Sequence, residues 1–183
     1  MSEDRERWNA KFRAGEAQGE EPDPLLVEVC ADLPAGRALD IAGGAGRHAI
    51  WLAQQGWEVV LSDISDEGPA IAAKRASEAG VGLTIRRESA EETFAWAVGS
   101  QRFDLIVIFW YLLREQFAAV PGLLAPGGLL VYKTYTSEHP RFAEGHSLRF
   151  ALQPGELSTA FPHLETVFYR EGDGVAELVA RAS

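Results

Sequence analysis

The stretch from Arg37 to Ser65, RALDIAGGAGRHAIWLAQQGWEVVLSDIS, constrains this chain more than any other. Ala38-Leu39-Asp40-Ile41-Ala42 is a short apolar run that suits a buried parallel strand. Gly43, Gly44 and Gly46 follow within four positions, and from Arg47 the apolar residues Ile50, Leu52 and Ala53 mark a helix that Gly56 stops. A second strand, Trp57 to Leu61, leads to Asp63. Strand, glycine turn, helix, strand and acid together make the first half of a mononucleotide-binding βαβ unit. A turn without Cβ atoms lets a ligand touch the backbone. The first N–H groups of the helix have no partner within it and point at that ligand, helped by the helix dipole. Asp63 stands 19 residues after Gly44, where a carboxylate can accept hydrogen bonds from two ribose hydroxyls. The implied ligand is a nucleoside with a polar tail.

Two cofactor classes fit this pattern. Gly44-Ala45-Gly46-Arg47-His48-Ala49 satisfies the G-x-G-x-x-A form used for NAD or FAD. Asp40-Ile41-Ala42-Gly43-Gly44-Ala45-Gly46 resembles the D-x-G-x-G-x-G loop of class I, Rossmann-like S-adenosylmethionine-dependent methyltransferases. In that family the loop holds the methionine part of the cofactor. The sequence departs from the pattern at Ala42, where the family usually has Gly, and at Gly43, where many relatives have Cys.

At 183 residues, with 46% apolar and 24% charged residues, the chain is long enough for one soluble globular domain. No apolar run approaches the roughly 20 residues of a membrane span. The opening MSEDRERWNAKF is charged, so no secretory signal is expected and a cytoplasmic location is. The single cysteine, Cys30, offers neither an internal disulfide nor a cysteine metal site, and no ligand-spaced His/Cys/Asp set supports a metal. A net charge of −10 without a Lys/Arg cluster argues against a nucleic-acid partner.

Taken in order, residues 1–13 read as an exposed helix with Trp8 and Phe12 on one face, and residues 14–24 as a Gly/Pro/acid linker. Leu25 to Leu33 reads as a helix. Asp66 to Gly80 reads as another, with Asp66 as N-cap. A short strand over Val81 to Arg87 and a helix over Glu91 to Val98 follow. Phe103 to Phe109 is apolar on both faces, as a central parallel strand is. Leu112 to Leu124 is expected as a helix, Pro126-Gly127-Gly128 as a turn and Leu129 to Tyr135 as a strand. Residues 136–152 are irregular, and Pro154-Gly155-Glu156 opens a short helix to Phe161. Leu164 to Tyr169 and Val175 to Ala180 alternate around Glu171-Gly172-Asp173-Gly174, which signals a hairpin.

The FDLIVIF and LAPGGLLVYKTY segments resemble the fourth and fifth strands of the methyltransferase sheet, where a PGG turn is habitual. The run from Gly46 to Val59 is similar to the GR-x-A-x-W-L-A-x-x-G-W/Y-x-V pattern of small bacterial methyltransferases of the tellurite-resistance and thiopurine type. The resemblance extends from Trp8 to Arg181. It implies an α/β fold with a seven-stranded, mostly parallel sheet in the order 3-2-1-4-5-7-6, its last strand antiparallel and helices on both faces. It also implies a methyltransferase domain over residues 25–183, preceded by a helix and linker over residues 1–24 that can fold over the cofactor. Trp8 and Phe12 either take part in that closure or staple the segment to the domain.

The same resemblance implies S-adenosylmethionine as cofactor and a small molecule as methyl acceptor. Cofactor contacts are expected from Asp40, Ala42, Gly43, Gly44, Gly46, Asp63, Ile64, Glu88, Ser89, Ala90 and Phe109. Asp40 either orders the loop or meets the methionine amine. Ile64 either lines the adenine or joins the core. Phe109 and Trp110 either cover the methionine part or cap the core. A general base is optional, and His139, His146, Tyr111 and Tyr135 are the candidates. Arg141 and Arg149 are placed to steer an anionic substrate. Two other readings stand beside this one: an NAD-dependent oxidoreductase, and a non-catalytic cofactor-binding module of the same fold.

Overall fold

The computed structural model describes residues 2–16, 19–99, 102–112 and 114–183. Seven strands are present: β1 (Arg37–Ile41), β2 (Glu58–Asp63), β3 (Thr84–Arg87), β4 (Phe103–Phe109), β5 (Leu124–Tyr135), β6 (Glu165–Gly172) and β7 (Val175–Arg181). Their order is β3-β2-β1-β4-β5-β7-β6, as the resemblance implied. The chain divides into two compact units, Met1–Gly99 and Ser100–Ser183.

In the first unit, β1 pairs in parallel with β2, and β2 with β3. Ala38, Leu39 and Ile41 of β1 and Leu61 of β2 are buried, because parallel strands covered on both faces carry continuous apolar runs. Five helices belong here: α1 (Ser2–Arg13), α2 (Pro24–Cys30), α3 (Arg47–Gln54), α4 (Glu67–Glu78) and α5 (Ala90–Ala97). Asp23 caps α2 by accepting the Leu25 N–H at 3.1 Å, and Pro24 sits at the first turn, where its missing N–H costs nothing.

Several boundaries differ from the sequence expectation for stated reasons. The third strand begins at Thr84 rather than Val81, because Val81 is used to end α4: its N–H donates to Ala76 O while Gly80, at φ 69°, donates to Ser77 O. That is the Schellman closure of a helix. Asp66 precedes α4 but makes no side-chain cap; Asn9 of α1 does so instead. Phe12 is 5% exposed, so α1 is not an exposed helix at that position. The expected linker over 14–24 includes residues 17 and 18, which lie outside the described residues.

In the second unit, β4 and β5 are parallel, β5 and β7 antiparallel, and β6 and β7 form the expected hairpin. Phe103, Leu105, Ile106, Leu130, Val131 and Leu178 make its core. The helix expected over Leu112 to Leu124, which includes residue 113 outside the described residues, is a 3-10 turn (Arg114–Ala119) followed by α6 (Val120–Leu123). Pro121 removes one N–H from that segment, and Arg114 is tied to the carbonyl of Ala151 and to Glu156. Pro126-Gly127-Gly128 lies inside β5, at an irregularity in its pairing with β4. Gly128 fits there because a Cβ would lie 2.9 Å from the carbonyls of Ala125 and Phe103. Residues 136–152 contain α7 (Pro140–Ala143) and a 3-10 turn (Leu148–Phe150), and α8 (Glu156–Thr159) follows. No helix among the described residues is long and apolar enough to cross a membrane.

Candidate functional site

The glycine loop of the first unit joins the end of β1 to α3. Ala42 (φ 57°), Gly44 (φ 54°) and Gly46 (φ 80°) all take left-handed backbone, and Gly46 sits at the N-cap of α3. Gly43 is required for another reason. A Cβ there would lie 2.7 Å from Asp40 Oδ2 and 3.0 Å from Leu61 Cγ, so the loop closes directly onto the Asp40 carboxyl.

Asp40 itself is 1% exposed. Its Oδ2 has no hydrogen-bond partner, while Ala49 donates a backbone hydrogen bond to the carboxyl. Burial pushes this carboxyl up to about 7 and the charge of Asp63 pushes the same way, against the pull of Arg47. A buried acid with an open oxygen is costly unless something answers it.

Asp63 ends β2. Its Oδ2 accepts the Gly44 N–H at 3.0 Å, and its Oδ1 accepts from Ser65 N at 2.8 Å and Ser65 Oγ at 2.7 Å. Burial raises its pKa, opposed by those bonds. The carboxylate expected to meet a ribose is therefore tied to the glycine loop itself. By lone-pair count Oδ2 keeps one further acceptor position.

The adenine-side candidates fall on the β3–α5 connection. Glu88 Oε1 accepts from Arg86 Nε at 3.0 Å, from Thr93 Oγ1 at 3.1 Å and from the indole N–H of Trp96. Arg86 also lies 4.2 Å over the Trp96 ring. Ser89 is the N-cap of α5 in a full capping box with Glu92, and Ala90 opens the helix. Ile64 is half-buried, and its carbonyl accepts from Arg5 Nε at 3.0 Å.

That contact belongs to a docking of α1 that the sequence reading did not resolve. Asn9 Oδ1 accepts from Asp66 N at 2.8 Å and Glu67 N at 3.3 Å, and its Nδ2 donates to Asp66 Oδ2 at 3.1 Å. Phe12 lies on the loop: a Cβ on Gly44 would be 2.9 Å from its Cζ, and one on Gly68 would be 2.8 Å from its Cε2. Arg13 bridges to Glu67 at 2.9 Å. Arg5, Asn9 and Phe12 are spaced by four and three, one face of a helix, and that spacing was the available signal.

In the second unit, Phe109 is buried at the end of β4 and the backbone of Trp110 turns left-handed (φ 59°). Trp110, His139 and Arg141 gather around Tyr135, whereas His146 and Arg149 are exposed. The carbonyl of Tyr111 accepts from Tyr132 Oη at 2.9 Å. His139 Nδ1 accepts the Arg141 N–H at 3.3 Å, which places a neutral ring's proton on Nε2 and occupies its basic nitrogen. Among the described residues no group of His, Cys, Asp and Glu could hold a metal ion.

A methyltransferase-domain family model matches residues 38–128. A protein of Geobacillus sp. (strain WCH70) named as a methyltransferase is 30% identical over 162 residues, 78% of this chain and 64% of that protein. The chain spans less than two thirds of the length of the curated relatives it matches. Among solved structures, TehB from Haemophilus influenzae superposes with a TM-score of 0.76 at 16% identity, covering 94% of this chain and 66% of that one. Magnesium protoporphyrin IX methyltransferase from Synechocystis PCC 6803, solved with bound S-adenosylhomocysteine, gives 0.71 at 16% identity and covers 100% and 99%. At such identities these likenesses establish the fold.

Proposed function

We propose that this chain, whose residues 38–128 match a methyltransferase-domain family model, is a class I S-adenosylmethionine-dependent methyltransferase that binds S-adenosylmethionine on the Gly43–Gly46 loop and transfers the methyl group to a small-molecule acceptor. The observation that carries this reading is the Asp63 carboxylate. It is held against the Gly44 N–H by a bond that joins the acid at the end of β2 to the loop after β1. A nucleoside ribose needs an acceptor at that place, and the polar tail needs backbone N–H groups free of side chains.

Each residue then has a task. Gly44, unable to carry a side chain here, lets Phe12 of α1 lie directly on the loop. Asp63 offers its remaining lone pair to the ribose. Asp40 holds the loop from beneath Gly43. Glu88, already fixed by Trp96, Thr93 and Arg86, marks the adenine end, and Ser89 and Ala90 set the helix start there. The α1 helix is the segment that closes over the cofactor, with Phe12 as its wedge at Gly44.

The cofactor supplies a methyl group on a sulfonium: the acceptor's lone pair forms the bond to the methyl carbon as the carbon–sulfur bond breaks and its electron pair stays on sulfur. What the chain contributes is position, which can supply roughly 7–11 kcal/mol of such a barrier. An acceptor that starts protonated gives its proton to solvent or to an imidazole, that of His146 or, once it releases the Arg141 N–H, that of His139. We place the protein in the cytoplasm, a location that fits its single, buried cysteine, Cys30.

Thermal unfolding and calorimetry with S-adenosylmethionine, S-adenosylhomocysteine, NAD and NADP test the proposal. The two sulfur nucleosides alone are expected to bind. Asp63→Ala is expected to fold and to weaken that binding at least tenfold, about 1.4 kcal/mol. Binding of NAD alone, or wild-type affinity in Asp63→Ala, overturns the reading.

A further inference from the structure

The second unit holds a cluster that loop binding does not use. Trp110 adopts φ 59°, a backbone region that costs a bulky residue on the order of 1–2 kcal/mol. Strain of this kind persists only where its surroundings hold it. The Trp110 N–H donates to Lys133 O at 2.8 Å, and the indole lies 4.5 Å from Tyr135, centroid to centroid, at 33°. Tyr135 also meets His139 at 4.6 Å and Phe142 at 6.4 Å. The guanidinium of Arg141 lies 4.5 Å over Tyr135 and 5.8 Å over Phe142.

This arrangement is clamped by backbone. Thr136 N–H donates to Gly174 O at 2.8 Å, Leu152 N–H to Tyr135 O at 2.9 Å and Ser137 N–H to Leu152 O at 2.8 Å. At the β6–β7 turn, a Cβ on Gly174 would lie 2.2 Å from His139 Cα, so the hairpin tip presses directly on the segment that carries His139 and Arg141. Aromatic walls set this firmly before a ligand arrives are what a selective site requires.

Arg141 is the incomplete member. It is half-buried, its Nε has no hydrogen-bond acceptor, and among the described residues it forms no ion pair. Arg114 and Arg170, by contrast, each have a glutamate. Lys133, the other cation here, is answered by Glu177 at 2.8 Å. The two acids of the same loop, Glu138 and Glu144, are exposed. A buried donor without an acceptor costs about 1–3 kcal/mol. The guanidinium carbon lies over the Tyr135 ring, and a guanidinium presents a fork of N–H donors that a carboxylate can meet with two parallel hydrogen bonds.

We propose that this cluster recognises the methyl acceptor and takes a planar aromatic carboxylate, its ring against Trp110 and Tyr135 and its carboxylate on Arg141. As the acceptor's site it rests on the methyl-transfer reading; as a binding site it stands on the second unit alone. Trp110, His139 and Arg141 already pack around Tyr135, so a flat ring meets the rim of this cluster edge-to-face, and the acid gives the guanidinium a partner that no described residue provides.

The test follows the indole N–H signals of 15N-labelled full-length protein during titration with 2-naphthoate, 2-naphthamide and cyclohexanecarboxylate. Of the five tryptophans, Trp110 is assigned through Trp110→Phe. Naphthoate is expected to shift the Trp110 signal, and the uncharged amide and the non-aromatic acid to bind at least tenfold more weakly. Arg141→Gln is expected to lose tenfold or more, and Arg141→Lys most of that, since Lys keeps the charge without the planar fork; the remaining signals report that both fold. Equal binding of naphthoate and its amide, wild-type affinity in Arg141→Gln, or no shift at Trp110 overturns the proposal. S-adenosylhomocysteine is titrated into the same sample. Its binding without naphthoate binding removes this site and leaves the methyl-transfer reading. The reverse result removes that reading and leaves an aromatic-carboxylate site.

Discussion

The glycine loop of the first unit and the aromatic cluster of the second are built on opposite principles. The loop is a backbone device: Gly44 N–H, Asp63, Ser65 and Phe12 satisfy one another, and the unanswered group is an acid, Asp40, sealed beneath Gly43. The cluster is a side-chain device held by backbone at its edges, and its unanswered group is a cation, Arg141, at half-buried depth. A sealed acid can relieve its cost by taking a proton. An arginine cannot, and must find an acid. The difference leaves the first region with a buried charge that a proton can answer and the second with one that only an acid can.

The largest expected effect breaks the comparison on the acid side. Asp40 has a folded pKa of about 7, above its ordinary 3.8. The folded state thus holds a proton that the unfolded chain releases between these values. Stability from this group is full below about pH 4 and falls as pH rises towards 7, after which it is flat. At about 1.4 kcal/mol per pH unit the ceiling is on the order of 4 kcal/mol, and the raised Asp63 pushes in the same direction. Asp40→Asn keeps the shape without the charge. We expect it to raise the unfolding midpoint at pH 8 and to flatten the slope between pH 4 and 7. An unchanged slope would mean that Asp40 stays charged and is answered by Arg47.

Next comes Phe12→Ala, with an expected loss of about 3 kcal/mol, the low end for removing a buried phenylalanine. Hydrogen exchange should show α1 and the start of α4 losing protection while β1 and β2 keep theirs. Uniform loss across the first unit would make Phe12 an ordinary core residue rather than a wedge. Asn9→Ala should cost less, about 1–2 kcal/mol, because it removes the acceptor for two N–H groups at the start of α4. Its effect should be confined to that junction and leave naphthoate binding unaltered.

These two residues also show what could be read from sequence and what could not. The loop, the place of Asp63 after the second strand and the final hairpin were legible, because glycine spacing, apolar runs and turn residues act over short stretches of chain; the strand order came from the family resemblance. The cap of α4 was not. Asp66 has the right chemistry in the right place, yet its backbone is helical and its carboxylate is taken by Asn9, 57 residues away. The helix over 112–124 failed for a similar reason: Arg114 answers Ala151 and Glu156, a constraint absent from the local pattern. Tyr135, His139 and Arg141 were each visible as reactive types, but their assembly on Trp110 depends on a hairpin tip some 30 residues further on, at Gly174.

The smallest effect sharpens the comparison most. Each region carries a non-glycine residue in left-handed backbone beside its candidate site, Ala42 at φ 57° and Trp110 at φ 59°. Glycine relieves that strain at either place, less the entropy it returns to the unfolded chain. Ala42→Gly is therefore expected to stabilise by about 0.5–1 kcal/mol, a rise of roughly 1–4 °C at this chain length. Trp110→Gly relieves the same strain but gives up a stacked ring worth roughly 0.5–1.5 kcal/mol beyond its buried area, so its midpoint should fall. If both variants rise alike, the indole does nothing for the fold where it stands. Its strained backbone would then be kept for a ligand's ring alone, and naphthoate binding would be the one property of Trp110→Gly to collapse.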